Sequence, residues 1–217
     1  MLSKGKTDTR TKIMEAAFEL FGRFGLEGAS VRDIAAKSEV NLAAVNYHFQ
    51  TKENLFWEIM SRTYSELDEE ISRLANDSKD VHELSLKTFD HFLAQKFALK
   101  NTMKMMLAEE VPLPNDPKIL AQLNNPMGPP GGIYYADKIQ KEISYPLSRE
   151  GLLWGVKAVF GAIFHWGVMC CSDKLCGGKN GLDPLMEPEQ IRKDVAGMVE
   201  AAIIFLNSQR QRFEAKE

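Results

Sequence analysis

The chain has 217 residues, of which 44% are hydrophobic and 26% are charged, with a formal net charge of −3. This composition is typical of a globular protein with a sizeable apolar core and excludes a disordered or fibrous chain. The charge is uneven: residues 1–52 carry eight Lys/Arg against six Asp/Glu, a balance of +2, so the remainder carries −5. A mildly basic amino-terminal part on an acidic body favours a small nucleic-acid-binding module joined to a part that does not touch nucleic acid.

The cysteines and the apolar segments indicate the compartment. Cys170, Cys171 and Cys176 lie in one short stretch, and an odd number of cysteines without a signal-peptide pattern predicts a reduced, cytoplasmic protein. The one candidate membrane span, 151–171, is interrupted by Lys157, which leaves an uncharged run shorter than the ~18 residues that a spanning helix needs. We therefore expect a buried helix of a soluble protein and no membrane association.

Apolar spacing predicts helices along nearly the whole chain. A first helix is expected over 11–24, closed by Gly25 and Gly28. Ser30, Asn41 and Thr51 are good N-caps for the helices that follow. The predicted helices after the first are 30–37, 42–48, 51–75 and a fifth that carries Leu84 to Phe97.

Proline and glycine are concentrated between Val111 and Gly132, a segment that holds six of the nine prolines. Only one short helix, Lys118–Leu123, fits inside it, so the segment is predicted to be an irregular loop or a lid. Two long helical patterns follow, one over about 149–171 and one from Pro188, at a first helical turn, to about 210. No strand shows convincing alternation.

The predicted fold class is therefore all-α, with a three-helix head at 1–54 and a larger helical domain at 55–217. The head contains two short helices joined by a tight turn, and neither is long enough to be stable alone in water. Both must pack on the first helix, with Ile34, Val40 and Val45 at the buried positions. This arrangement is a helix-turn-helix, in which the second short helix lies in the DNA major groove.

The remaining surface of the second short helix suits DNA. Leu42 and Ala44 match thymine methyl groups, and Asn46 matches base edges or phosphate. The residues expected to reach phosphate are Tyr47, His48, Ser30, Arg32 and Lys52. Composition alone leaves open a plain three-helix subdomain with solvated polar residues.

The stretches Gly28–Ala35, Val40–Phe49 and Lys52–Leu55 closely resemble the TetR family of one-component regulators, over roughly residues 10–60. The resemblance implies a homodimer that binds a double-stranded DNA operator, represses by default and responds to a small-molecule effector. It also implies that residues matching Ser30 and Arg32 contact the DNA backbone or a base, that those matching Leu42, Ala43, Ala44 and Asn46 face the bases, and that those matching Tyr47, His48 and Lys52 grip phosphate.

Three residues depart from the family pattern. Glu39 occupies a turn position that is usually glycine, where a left-handed conformation costs about 1 kcal/mol. Leu42 replaces the usual Lys or Arg early in the recognition helix, and Asn46 replaces the first Tyr of the usual Tyr-x-x-Phe pattern. These departures concern the base contacts rather than the mode of docking.

The resemblance further implies dimerisation through the last two long helices, and the residues are compatible with it. The last helix carries an apolar stripe, Val195, Met198, Val199, Ala202, Ile203 and Leu206, and its partner offers the small residues Gly151, Gly155, Ala158 and Ala162. Such helices form two-fold four-helix interfaces. The alternative is that the stripe belongs to an intramolecular core.

An effector pocket is predicted from apolar residues that suit an adaptable cavity, namely Phe89, Phe92, Met103, Met106, Trp154, Phe160, Phe164 and His165. The alternative is plain core packing, and for His165 a buried, satisfied core histidine. No glycine-rich phosphate loop, paired histidines or nucleophile elbow is present, so we expect neither an enzyme nor a cofactor. No zinc-ligand spacing involves the cysteines, and no metal is expected. The rival functions are a helical dimeric adaptor and a redox- or metal-responsive regulator that uses Cys170, Cys171 and Cys176.

Overall fold

A computed structural model describes residues 8–107, 111–172, 174–176 and 187–216. Helices make up almost all of the regular structure, and the only β-pairing in these ranges is an isolated bridge between Leu147 and Glu214. The predicted all-α class is confirmed. The helices are α1 Thr9–Gly28, α2 Val31–Lys37, α3 Leu42–Phe49, α4 Lys52–Asn76, α5 Val81–Ala94, α6 Lys96–Met106, α7 Pro117–Leu123, α8 Gly132–Glu142, α9 Arg149–Met169, α10 Pro188–Ser208 and α11 Arg210–Phe213.

The chain divides into two compact units. The first comprises residues 1–63 and 100–123, and the second comprises 64–99 and 124–217. Two of the three boundaries fall inside a helix, in α4 and in α6, and the third follows the last residue of α7. The division expected from sequence, after residue 54, differs because the apolar side of the first turns of α4, including Leu55 and Ile59, is buried in the core of the first unit.

The core of the first unit is formed by the inward faces of α1 to α4 with one residue from α6. Its buried members are Ile13, Met14, Ala17, Phe21, Leu26, Ala29, Ile34, Ala35, Val45, Phe49, Leu55, Phe56, Ile59 and Met105. The short helices α2 and α3 contribute Ile34 and Val45, as their spacing predicts. Burial of these side chains supplies the stability that helices of this length lack in isolation.

Helix α1 is broken near its carboxyl end and is crossed there by α6. Gly25 has φ 72° and ψ 176°, a conformation outside the helical region that glycine adopts at little cost. One turn earlier, a Cβ on Gly22 would lie 2.3 Å from Cγ of Asn101. The absence of a side chain on Gly22 therefore lets α6 lie against α1, a contact that the helical spacing alone did not predict.

The second unit is organised around α9, which packs against α5, α8 and α10. Within the described part of the chain, α9 is the one helix whose length and mean hydropathy of 1.4 would suffice to cross a membrane. Its apolar face is instead directed to neighbouring helices of its own unit, where Val156, Val159 and Ile163 are fully buried. Helices α6 and α8 were not predicted from the sequence.

The apolar stripe of the last long helix faces mostly inward, as expected if it belongs to an intramolecular core. Val195, Val199 and Leu206 are fully buried within a single chain, and Ala202 and Ile203 are nearly so. The small residues of α9 pack against the same chain, since a Cβ on Gly155 would lie 3.0 Å from Cδ1 of Leu206, and one on Gly151 would lie 2.9 Å from Cβ of Phe213. Of the stripe, only Met198 is exposed.

The proline-rich segment is more ordered than a free loop. It contains α7, Pro117–Leu123, which confirms the predicted short helix. At its end Gly131 has φ 73°, and a Cβ there would lie 2.4 Å from Cγ2 of Ile71. The Gly131 N–H donates to Oδ1 of Asp68 at 2.8 Å. This glycine therefore holds the start of α8 tightly against α4 within the second unit.

Candidate nucleic-acid interface

Helix α2 begins with a reciprocal cap. The Asp33 N–H donates to Oγ of Ser30 at 3.1 Å, and the Ser30 N–H donates to Oδ2 of Asp33 at 3.2 Å. The hydrogen bonds from the Ser30 side chain and then its backbone hold the pKa of Asp33 below its ordinary value. The hydroxyl of Ser30 is thus occupied in starting the helix, and its contact with DNA stays a prediction.

The turn between α2 and α3 is a Schellman motif. The Val40 N–H donates to the Ala35 carbonyl at 3.0 Å, and the Glu39 N–H donates to the Ala36 carbonyl at 3.3 Å. Glu39 sits at the position where this motif favours glycine and has φ 58°. Glu39 therefore adopts the left-handed conformation, and the turn between the two short helices carries its cost of about 1 kcal/mol.

Helix α3 is anchored on one side and exposed on the other. The Ala44 N–H donates to Oδ1 of Asn41 at 2.7 Å, which caps the helix. Val45 and Phe49 are buried and hold α3 on the core. Because these two residues lie four apart on one face, the opposite face is left to solvent.

The exposed face of α3 carries most of the predicted base contacts. Tyr47 is 83% exposed and Leu42 is 40% exposed, and Ala43 and Asn46 are also exposed. Ala44 and His48 are half-buried, and the His48 ring lies edge-on to the Tyr47 ring at 5.4 Å. The structure therefore brings Leu42, Ala43, Asn46 and Tyr47 together on one accessible surface and sets Ala44 back from it.

The cationic residues predicted to flank this surface differ in their surroundings. Arg32, in the first turn of α2, is exposed. Lys52 keeps only 19% of its side chain exposed, and its Nζ donates to the Leu26 carbonyl near the end of α1 at 2.7 Å. A second ammonium, that of Lys104, donates to the Gly22 carbonyl at 2.9 Å. Lys52 thus caps the Leu26 carbonyl of the broken helix α1, and its contact with phosphate stays a prediction.

One positioning residue was missed in the sequence. The guanidinium of Arg10 pairs with the carboxylate of Glu58 on α4 and lies 5.2 Å from the centre of the Phe49 ring on α3. Burial raises the pKa of Glu58, and the charge of Arg10 opposes that shift. Arg10 therefore ties α1, α3 and α4 together. The only sequence signal was an arginine next to the amphipathic stripe of α1.

The eight residues predicted to line an effector pocket do not form one set. Met103 and Met106 belong to the first unit, and Met106 is 60% exposed. In the second unit the ring centre of Phe92 lies 6.1 Å from that of Phe160 and 6.2 Å from that of Phe164. Phe89, Phe92 and Phe160 are buried and Phe164 is half-buried.

The remaining two predicted pocket residues lie elsewhere in the second unit. The Trp154 ring packs on Phe205 of α10 at 4.6 Å and on Phe213 at 5.8 Å. His165 is exposed, so its interpretation as a buried core histidine is wrong. The reason is that α9 is apolar on nearly all sides, so its hydropathy does not reveal which side faces solvent.

A pair of hydroxyl groups lies beside the phenylalanines. The hydroxyl of Tyr135 donates to Oγ1 of Thr88 at 2.8 Å, and Oγ1 of Thr88 donates to the Leu84 carbonyl. The Tyr135 ring lies 6.0 Å from that of Phe160. Burial raises the pKa of Tyr135, so this phenol is neutral and able to donate a hydrogen bond.

The cysteines follow the carboxyl end of α9, beginning with Cys170 at its C-cap. Cys170 and Cys176 are buried. Burial, and then a hydrogen bond with Cys176, raises the pKa of Cys170 to about 12. A buried thiol of this kind is poorly reactive at neutral pH, because the thiolate is the nucleophile. Within the described ranges, no group of three or more His, Cys, Asp or Glu residues is placed to hold a metal ion.

Comparison with known proteins identifies relatives of part of the chain. Residues 13–59 match the family model described as bacterial regulatory proteins, tetR family. The chain is 33% identical over 88 residues to the HTH-type nicotine-responsive transcriptional repressor HdnoR of Paenarthrobacter nicotinovorans, covering 41% of this chain and 45% of that protein. It is 41% identical over 59 residues to the probable HTH-type transcriptional regulator YttP of Bacillus subtilis, covering 27% and 28%. The chain thus spans less than half the length of these curated relatives.

Solved structures resemble the chain over most of its length. A putative transcriptional regulator from Saccharomonospora viridis in complex with choline has a TM-score of 0.62 at 19% identity, covering 90% of this chain and 97% of that one. A putative TetR-family regulator from Mesorhizobium loti has a TM-score of 0.58 at 13% identity, covering 95% and 97%. At such identities the likeness concerns the fold.

The cap that Lys52 provides is testable. We expect Lys52→Met to lower the free energy of unfolding by about 1 kcal/mol, because it leaves the Leu26 carbonyl without its charged donor. Lys37→Met is the matched control, since Lys37 makes a surface ion pair with Glu19 at 2.7 Å that contributes little. Urea unfolding of the full chain measures both variants. Equal stability of the two would contradict the structural role of Lys52.

Proposed function

The chain belongs to the tetR family of bacterial regulatory proteins, and on that premise we propose that it is a ligand-responsive transcriptional repressor acting as a homodimer in the cytoplasm. The observation that carries the proposal is the accessible face of α3, held in a head whose residues 13–59 match the family model. The similarity to HdnoR, a transcriptional repressor, supports it.

In the proposed complex, α3 lies in the major groove and the rest of the head contacts the backbone. Leu42, Ala43, Asn46 and Tyr47 face the DNA. Arg32, Ser30, His48 and Lys52 contact phosphate, and Ala44 lies at the edge of the surface that faces the bases. The net charge of +2 over residues 1–52 favours approach to DNA, and binding weakens with salt because phosphate contacts release counterions.

The DNA-binding proposal is tested with an operator selected from random DNA by the full-length protein. In gel shifts we expect Arg32→Ala to weaken binding at least tenfold and to reduce the slope of log K against log[salt] by about 1.8, because the dimer loses two phosphate contacts that contribute about 0.9 each. The charge-matched control is Lys141→Ala, on an exposed side chain of the second unit. If no sequence is enriched even at low salt, or if the two variants behave alike, the proposal fails.

The dimer is proposed to form through an exposed part of α9 and α10 that we call the α9–α10 face. It consists of Gly161, Gly197, Met198, Ile204 and Phe205. A Cβ on either glycine would have no atom within 4 Å, and Met198, Ile204 and Phe205 are 41%, 59% and 36% exposed. Glycine inside a helix costs roughly 1 kcal/mol relative to alanine, and no atom in the described part of the chain fills the space beside these two glycines. Close approach of a second copy of the chain would make use of the space beside both glycines.

Two copies joined in this way would present two recognition helices to half-sites about 34 Å apart on a pseudo-palindromic operator. The dimer is tested with Ile204→Glu, which places a carboxylate on the α9–α10 face. We expect this variant to sediment as a monomer at micromolar concentration and to bind the operator at least tenfold more weakly, because the half-sites are no longer bound together.

The control for the dimer test is Leu113→Glu, at a leucine of the first unit that is 74% exposed. It adds the same charge at an exposed apolar position outside the α9–α10 face, and it should leave the oligomeric state unchanged. A dimeric Ile204→Glu protein would show that the chains associate through another surface.

The effector is proposed to bind in the second unit beside Phe92, Phe160 and Phe164. The phenylalanine rings offer apolar and aromatic contact, and the Tyr135–Thr88 hydroxyl pair adds a polar group. HdnoR is a nicotine-responsive repressor, and the Saccharomonospora viridis regulator was solved in complex with choline. These two ligands belong to those proteins. They support a small molecule as the class of ligand for this chain.

A ligand that binds the conformation of low DNA affinity more tightly releases the repressor by the difference between its two affinities. We expect a compound that releases the operator from the wild-type protein to act at least tenfold more weakly on Phe164→Ala, because the half-buried ring is lost. Phe97→Ala, at a phenylalanine of the second unit that is 62% exposed, is the control. Competition gel shifts measure both, and equal release would place the ligand elsewhere.

A further inference from the structure

The side chains that α3 offers to DNA are unusual in charge. Between Leu42 and Phe49 there is no Arg, Lys, Asp or Glu, and the single basic side chain, His48, is half-buried. The amide of Asn41 is committed to capping the helix through the Ala44 N–H. The groups left on the accessible face are therefore two aliphatic side chains, one carboxamide and one phenol.

These groups form one contiguous patch. Leu42 and Asn46 are four residues apart in α3, and Ala43 and Asn46 are three apart, so the three side chains are neighbours on the helix surface. Leu42 is 40% exposed although its neighbours Val45 and Phe49 are buried. The exposed methyl groups of Leu42 and Ala43 therefore flank the amide of Asn46 without an interposed charge.

Each base pair in the major groove requires a different partner. Guanine is read through O6 and N7 by Arg or Lys, and cytosine donates from N4 to Asp or Glu. Neither type of side chain is present on α3. Thymine presents a C5-methyl group that suits aliphatic side chains, and adenine presents N6 and N7, which a carboxamide bonds in a bidentate manner.

Resting on the function proposed above, we propose that α3 reads A·T base pairs, with Leu42 and Ala43 against thymine methyl groups and Asn46 paired with adenine. The sequence alone favoured Ala44 for the contact with a thymine methyl group. Ala43 makes this contact instead, because Ala44 is half-buried. Specificity at the centre of each half-site then depends on shape and methyl contact, while Arg32 on α2 supplies charge to the backbone.

The test uses the operator selected from random DNA. Thymines in its half-sites are replaced one at a time by deoxyuridine, which lacks only the C5-methyl group. We expect each contacted methyl to contribute about fourfold in affinity in gel shifts with the wild-type protein. Deoxyuridine between the half-sites is the control and should have no effect.

Two variants of Leu42 test whether the affinity lost with deoxyuridine comes from contact with this residue. With Leu42→Ala, deoxyuridine at the thymine that Leu42 contacts should cause no further loss, because that contact is already gone. A repeated selection with Leu42→Lys should enrich guanine at that position. Both substitutions are at an exposed site, and circular dichroism verifies that the variants are folded.

The outcomes separate this inference from the proposed function. No enriched sequence in the selection would overturn the proposed function itself. Enriched half-sites with G·C at their centre, or deoxyuridine operators that bind as tightly as the thymine operator, would overturn the A·T inference while leaving DNA binding intact. Enriched A·T pairs with methyl dependence lost in Leu42→Ala would support it.

Discussion

The packing of two very short helices on a common apolar core is the interaction on which the rest of the molecule's proposed activity depends. Helices α2 and α3 have seven and eight residues, which is too few for stability in water. Ile34, Val45 and Phe49 fix them by burial. Because the buried side of α3 is fixed, its exposed side is fixed too. The proposed recognition surface consists of the residues on that exposed side.

The same head shows how polar side chains are divided between structure and recognition. Ser30 and Asn41 start helices, and Lys52 and Lys104 cap carbonyls of the broken helix α1. Each of these residue types is able to contact phosphate, yet unpaired helix ends require the same donors and acceptors. The exposed side chains of α3 are largely uncharged, and the proposed reading of A·T base pairs relies on their methyl groups and one amide.

In the second unit, the glycines of the two long helices α9 and α10 fall into two groups. Inward glycines such as Gly155 allow neighbouring helices of the same chain to meet, whereas Gly161 and Gly197 face open space. The proposed dimer interface relies on glycines of the second kind. The aromatic side chains divide in the same way, since Phe92 and Phe160 fill the interior while Phe205 lies on the α9–α10 face.

The sequence by itself determined what depends on neighbours along the chain. Helical spacing, the caps at Ser30 and Asn41 and the left-handed Glu39 were all predictable, because each is set within about four residues. Only the tertiary structure decided what covers each apolar face. In the sequence, the apolar stripe through Val195 is the same whether a second chain or α9 covers it. The contact of Gly22 with α6 joins residues that are far apart along the chain. Periodicity reveals that a face is buried, but the covering partner is selected by packing between residues that no local pattern relates.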